Sequence, residues 1–132
     1  LFWLKNLKHF PLKLYIKFNQ GKITMYQYQQ TQEQNENLYR IFIDTAVLKV
    51  NQAKICHEKN HTDKESFLLN NTVTIVSCLR DSLNIKDAQL TEQIKQLYID
   101  VEQALYFSIQ KKSINLLGYI INTLIKIQRL LK

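Results

Sequence analysis

Residues 38–55 read "LYRIFIDTAVLKVNQAKI", and their spacing decides the fold. At about 100° per residue, Leu38, Phe42, Ala46, Val50 and Ala53 stack along one side of a helix. Ile41, Leu48 and Ile55 recur every seven residues and point nearly the opposite way. A helix that is apolar on two sides must bury both of them. The first stripe predicts a bundle core. The second is spare and asks for another partner, inside the chain or outside it.

Working outward, the helical period predicts a first helix from about Gln32 to Lys59, with Thr31 and Gln34 as a capping box. Thr62 and Glu65 form a second capping box that opens helix two. Leu68, Leu69, Ile75, Val76, Leu79 and Leu83 line its inner face, and Asn84 is its left-handed cap. Helix three begins near Asp87 or Thr91 and buries Leu90, Ile94, Leu97, Val101 and Leu105. Lys111 and Lys112 sit at its C-terminal end, where the helix dipole favours cations. Ser113 is read as the cap of helix four, with Leu117, Ile120, Ile121, Leu124, Ile127 and Leu131 turned inward. On that helix Leu116, Tyr119, Thr123 and Leu130 lie on a flank outside the inner stripe. Four helices with short connections make an antiparallel bundle.

Upstream, "LKLYIKFNQGKITMYQYQ" (12–29) alternates apolar and polar residues on both sides of a Gln20-Gly21 turn. That pattern predicts a β-hairpin with Phe18 opposite Ile23 and Tyr15 opposite Tyr26. Its apolar face should rest on the helices, because an isolated hairpin is marginal in water. Residues 1–10 read either as a third strand or as a short amphipathic helix ended by Pro11. The expected fold class is therefore mainly α (α+β): an antiparallel four-helix bundle with an N-terminal β-hairpin or three short strands. The expected organisation is one domain over 1–132, with a basic hairpin segment at 1–30 and the bundle at 31–132.

Composition narrows the function. The chain has 132 residues and a net charge of +7, with only two Gly and one Pro. Gly-rich phosphate loops and many-turned sandwiches are excluded on that count. No apolar run is long enough to span a membrane. The chain begins at Leu1, which suggests trimming at that end. Lys5, Lys8, Lys13, Lys17 and Lys22 concentrate the positive charge in a segment without acids. Such a segment suits an acidic partner, a nucleic acid or a membrane surface, or it simply solubilises an edge. Cys56 and Cys78 suggest a reducing compartment. In an antiparallel pair of helices they lie about 18 Å apart, too far for a bond.

Catalytic and metal motifs are scarce. "CHEKNH" (56–61) places Cys56, His57 and His61 together, but it is a polar helix end and turn with no second cluster. No nucleophile elbow or Cys-x-x-Cys pair occurs. The expectation is no enzyme, no cofactor and no metal. Tyr15, Tyr26 and Tyr28 between Lys13 and Lys17 could stack single-stranded bases, which makes a nucleic-acid-binding module the second reading. The leading reading is a protein-binding bundle whose candidate partner residues are Ile41, Leu48 and Ile55 on helix one and Leu116, Tyr119 and Leu130 on helix four. A homodimer closed through the same faces is a third reading.

The stretch "DTAVLKVNQAK" (44–54) resembles the "DGA…NQAK" segment of the FliS flagellar export chaperone family, and the likeness runs without a gap through Asn84. Glu58, Lys64, Leu68, Ile75, Val76, Ser77, Leu79 and Leu83 fall where that family has like residues. Glu36, Leu38, Ile41 and Phe42 match its first helix. "SIQKKS" (108–113) resembles its last turn between helices, and "YQYQQ" (26–30) its N-terminus. Departures are Gln34-Asn35 for a Ser-Pro start, Ile43-Asp44-Thr45 for Tyr-Asp-Gly, Glu102-Gln103 for a basic pair and Leu131 for a closing Trp. The lysine-rich N-terminal hairpin has no counterpart there. In this the chain is similar to the FliS-binding flagellar co-chaperone. The resemblance implies no catalysis, no cofactor, a bacterial cytoplasmic location, and a protein partner that is either a FliS-type chaperone or an export substrate.

Overall fold

In the computed structural model the described residues are 2–6, 12–19, 22–29, 32–83 and 85–131, with side chains described from Leu38 onward. Four helices dominate: α1 (Gln32–Glu58), α2 (Thr62–Asp81), α3 (Ala88–Lys111) and α4 (Leu117–Leu130). Each packs against the next, and α4 returns to α1. The hydrogen bond from Gln128 Nε2 to Asp44 Oδ1, 3.0 Å across 84 residues, shows the antiparallel closure. Phe42, Ala46, Val50 and Ala53 are fully buried, as the α1 stripe predicts, while Leu38 is half-buried. Ile75, Ile94, Val101, Leu105, Leu117, Ile120, Leu124 and Ile127 meet them with no exposed surface.

The expected α+β class is corrected to an all-helical bundle. An α+β fold needs a sheet and helices to share one core. Among the side chains described, from Leu38 onward, the buried apolar ones all come from the four helices, which pack into one core. The fold class is set by that bundle. Strands β1 (Phe2–Asn6), β2 (Leu12–Asn19) and β3 (Lys22–Gln29) pair antiparallel ahead of the bundle, Tyr15 opposite Tyr26 and Phe18 opposite Ile23. The strand that runs beside α1 is β1, whereas β2–β3 was expected to rest on the helices. The Gln20-Gly21 turn, the Pro11 stop and the caps at Thr31 and Asn84 lie outside the described residues.

Several local expectations are also corrected. Thr62 and Glu65 do not form a capping box, because the Glu65 side chain is turned inward onto His57. The turn before α2 is instead closed from α1. Asn60 adopts a left-handed φ of 60°, and the His61 amide donates to the Cys56 carbonyl at 2.8 Å. Asn tolerates that conformation better than most residues, and the six-to-one bond satisfies an orphan carbonyl. Ser113 does not cap α4. Its hydroxyl accepts from the Asn115 amide at 3.2 Å, and the helix begins four residues later at Leu117. Asp87 does cap α3, accepting from the Gln89 and Leu90 amides. Cys56 and Cys78 are both buried, and no disulfide joins them.

Candidate protein-binding faces

The outer stripe of α1 is a continuous surface feature. Ile41, Leu48 and Ile55 keep 44%, 56% and 49% of their surface exposed, with β1 beside the helix. Their seven-residue spacing makes them a line of about 21 Å on one face. Thr45 and Gln52 flank this line, and the Thr45 hydroxyl donates to the Ile41 carbonyl. The flank is therefore polar while the line is apolar.

On α4 the candidate residues separate. Tyr119 is 48% exposed. Leu116 and Leu130 are half-buried against the core, Leu116 at the N-cap position of α4. Thr123, on the same flank, is buried and returns its hydroxyl to the Tyr119 carbonyl at 2.8 Å. Most of that flank is thus closed within the bundle. Sequence reasoning missed three other exposed aromatics: Phe67 on α2 and Tyr106 and Phe107 on α3. None of them belongs to a periodic apolar stripe, so periodicity carries no signal for them.

The polar groups inside the bundle are structural in character. His57 Nδ1 lies 2.9 Å from both oxygens of the buried Glu65, tying the end of α1 to the start of α2. Arg80 reaches Glu102 Oε2 at 2.7 Å and Asp81 at 3.3 Å. Glu102 is buried, and its Oε1 has no partner. Burial raises its carboxyl above the ordinary range, Arg80 opposes that, and Asp81 adds to it. The Tyr98 hydroxyl is fully buried without a partner, and burial raises it well above the usual tyrosine range, with Tyr39 adding to the effect. Burial lowers Lys49. A crevice among Thr62, Glu65, Ser66, Leu69, Ser108, Ile109 and Lys112 has about 10 Å³ of room, space for one water. Among the described residues no three His, Cys, Asp or Glu side chains gather as metal ligands, and His57 is engaged with Glu65.

These features describe an antiparallel four-helix bundle with apolar surface outside its core and no assembled catalytic group among the described residues. The family model "Flagellar protein FliS" matches residues 19–130, and the chain belongs to the FliS family. No curated protein and no solved structure matches it significantly. The family is one of flagellar export chaperones that act on protein partners and not one of enzymes, so the role of this chain is of the flagellar export chaperone type. Among the described residues no helix is long and apolar enough to cross a membrane.

Proposed function

We propose that this protein is a non-enzymatic co-chaperone of flagellar export, working in the bacterial cytoplasm, and that it binds a FliS-type chaperone or an export substrate through helix–helix contacts. The observation that carries this reading is the α1 stripe, with Ile41, Leu48 and Ile55 half exposed on the side away from the core. Apolar residues in line on a helix gain by burial against a second apolar helix, at roughly 25 cal/mol per Å² removed from water. Tyr119 supplies an aromatic anchor on α4, of a residue type enriched at binding hot spots. Leu116 and Leu130 would contribute only the edges left open by the core. The basic N-terminal segment would steer an acidic partner without adding much to final affinity.

The test is calorimetric titration of this protein with a purified FliS-type chaperone and with a flagellin-type substrate. Binding to either should weaken at least tenfold in Leu48→Asp or Tyr119→Asp, and both variants should keep the helical circular dichroism of the parent. If partner affinity survives both changes, the binding faces have been misassigned. If neither partner binds the parent protein, the co-chaperone role is wrong.

A further inference from the structure

The order of residues along the α1 stripe is Ile-Leu-Ile, symmetric about Leu48. When two copies of α1 lie antiparallel with Leu48 at the two-fold axis, Leu48 meets Leu48 and Ile41 meets Ile55. A surface that is complementary to itself in this way is what a two-fold dimer requires. The charges beside the stripe follow the same symmetry. Arg40 and Glu58 are both exposed, and both lie about 80° round the helix from the stripe, on the same flank. In the antiparallel pair Arg40 of one copy comes opposite residue 56 of the other, within reach of Glu58, and the pair occurs twice. In a parallel pair the two-fold axis runs along the helices and sets the two copies of this flank on opposite sides of the seam, so Arg40 and Glu58 would not meet.

From this we propose that α1 binds α1 of a second copy of this chain, antiparallel, with Leu48 on the two-fold axis. The proposal rests on the reading of α1 as a binding face and names its occupant. A chaperone or substrate that uses the same face then competes with self-association, while the face around Tyr119 stays open in the dimer. The contact is one helix wide. It belongs with small, transient interfaces, so the dimer should exchange readily with monomer.

Sedimentation velocity on the full chain across a wide concentration range tests this. The weight-average mass should climb toward twice that of the monomer as concentration rises. Leu48→Asp should remain monomeric at concentrations where the parent is mostly dimer. Arg40→Glu should weaken the dimer several-fold, and adding Glu58→Arg should restore it. Mild oxidation gives an independent readout. Leu48→Cys should cross-link to itself across the axis. Ile41→Cys should not, because the two positions 41 lie about 21 Å apart in the antiparallel pair, well beyond disulfide reach. A parent protein that stays monomeric throughout overturns the proposal, as does a dimer indifferent to Leu48→Asp or self-cross-linking at Ile41→Cys. Partner titration separates the two claims. A monomer that still loses its chaperone or substrate in Leu48→Asp keeps the binding face and removes only the second copy.

Discussion

α1 and α4 both carry apolar residues outside their core stripes, yet the bundle treats the two helices differently. On α4, Leu116 and Leu130 fold back against the core and Thr123 is buried, leaving Tyr119 in the open. On α1 the outer line of Ile41, Leu48 and Ile55 stays half exposed along its length. The two helices differ in length and position. α4 has 14 residues, starts from a turn that draws Leu116 inward, and lies against both α3 and α1. α1 has 27 residues, and Ile41, Leu48 and Ile55 opposite its core stripe stay half exposed, with β1 beside the helix. An apolar residue off the main stripe therefore signals a binding face only where no neighbour leans over it.

The strongest way to sharpen this contrast is to truncate one residue of each kind. Leu124→Ala, in the core stripe of α4, should cost about 2–5 kcal/mol of stability. Leu48→Ala on the outer line of α1 should stay within about 0.5 kcal/mol. Chemical denaturation of the two variants beside the parent measures both. A large loss at Leu48 would mean that something within the chain covers the outer line, and the contrast would collapse.

The same rule, that burial decides the role, applies to a charge. Glu102 is buried with one oxygen unpartnered, and its carboxyl is raised mainly by that burial. The folded protein thus holds the proton at this site more tightly than the unfolded chain does. The stability this provides is fully present below the unfolded carboxylate range and is lost as pH rises through the folded value. Denaturation midpoints measured from mildly acidic to neutral pH should fall across that window because of Glu102. In Glu102→Gln that part of the slope should disappear. An unchanged slope would show that Glu102 does not set it.

The smallest effect concerns α4 alone. Gly118 is exposed within the helix, and a Cβ added there meets nothing within 4 Å. Gly118→Ala should raise stability by about 0.5–1 kcal/mol, because alanine loses less backbone freedom on folding. The gain would appear as a higher thermal midpoint with partner binding unchanged. A loss would place a close neighbour on that face of α4 and narrow its difference from α1.

Much of the bundle is legible in the sequence because apolar periodicity carries it. The α1 stripe from Phe42 to Ala53 and the inner face of the closing helix follow from spacing, and of the two starts read for α3, Asp87 or Thr91, the helix takes Asp87 as its cap. What escapes are residues whose role depends on a neighbour distant in sequence. Tyr98 is fully buried although its hydroxyl argues for the surface, because α3 turns that position toward Tyr39 and the core. Glu65 looks like a helix-capping residue and is taken instead by His57, eight residues earlier. Tyr106 and Phe107 belong to no apolar stripe and lie exposed on α3. The exposed line on α1 was legible as a seven-residue repeat. The α4 flank was only partly legible, since nothing local records that Leu116 is drawn in by the turn before it.

The hydrogen bond between Gln128 and Asp44 has a mechanical consequence. It sets the end of α4 beside the middle of α1, so that α4 runs antiparallel to α1 from the Lys112 turn, which lies at the same pole as the Asn60 turn. A force applied between the start of α1 and the end of α4 would not shear the bundle along its axis. It would peel α4 from α1 one turn at a time, with the Gln128–Asp44 bond among the first loaded and the His57–Glu65 clasp near the last.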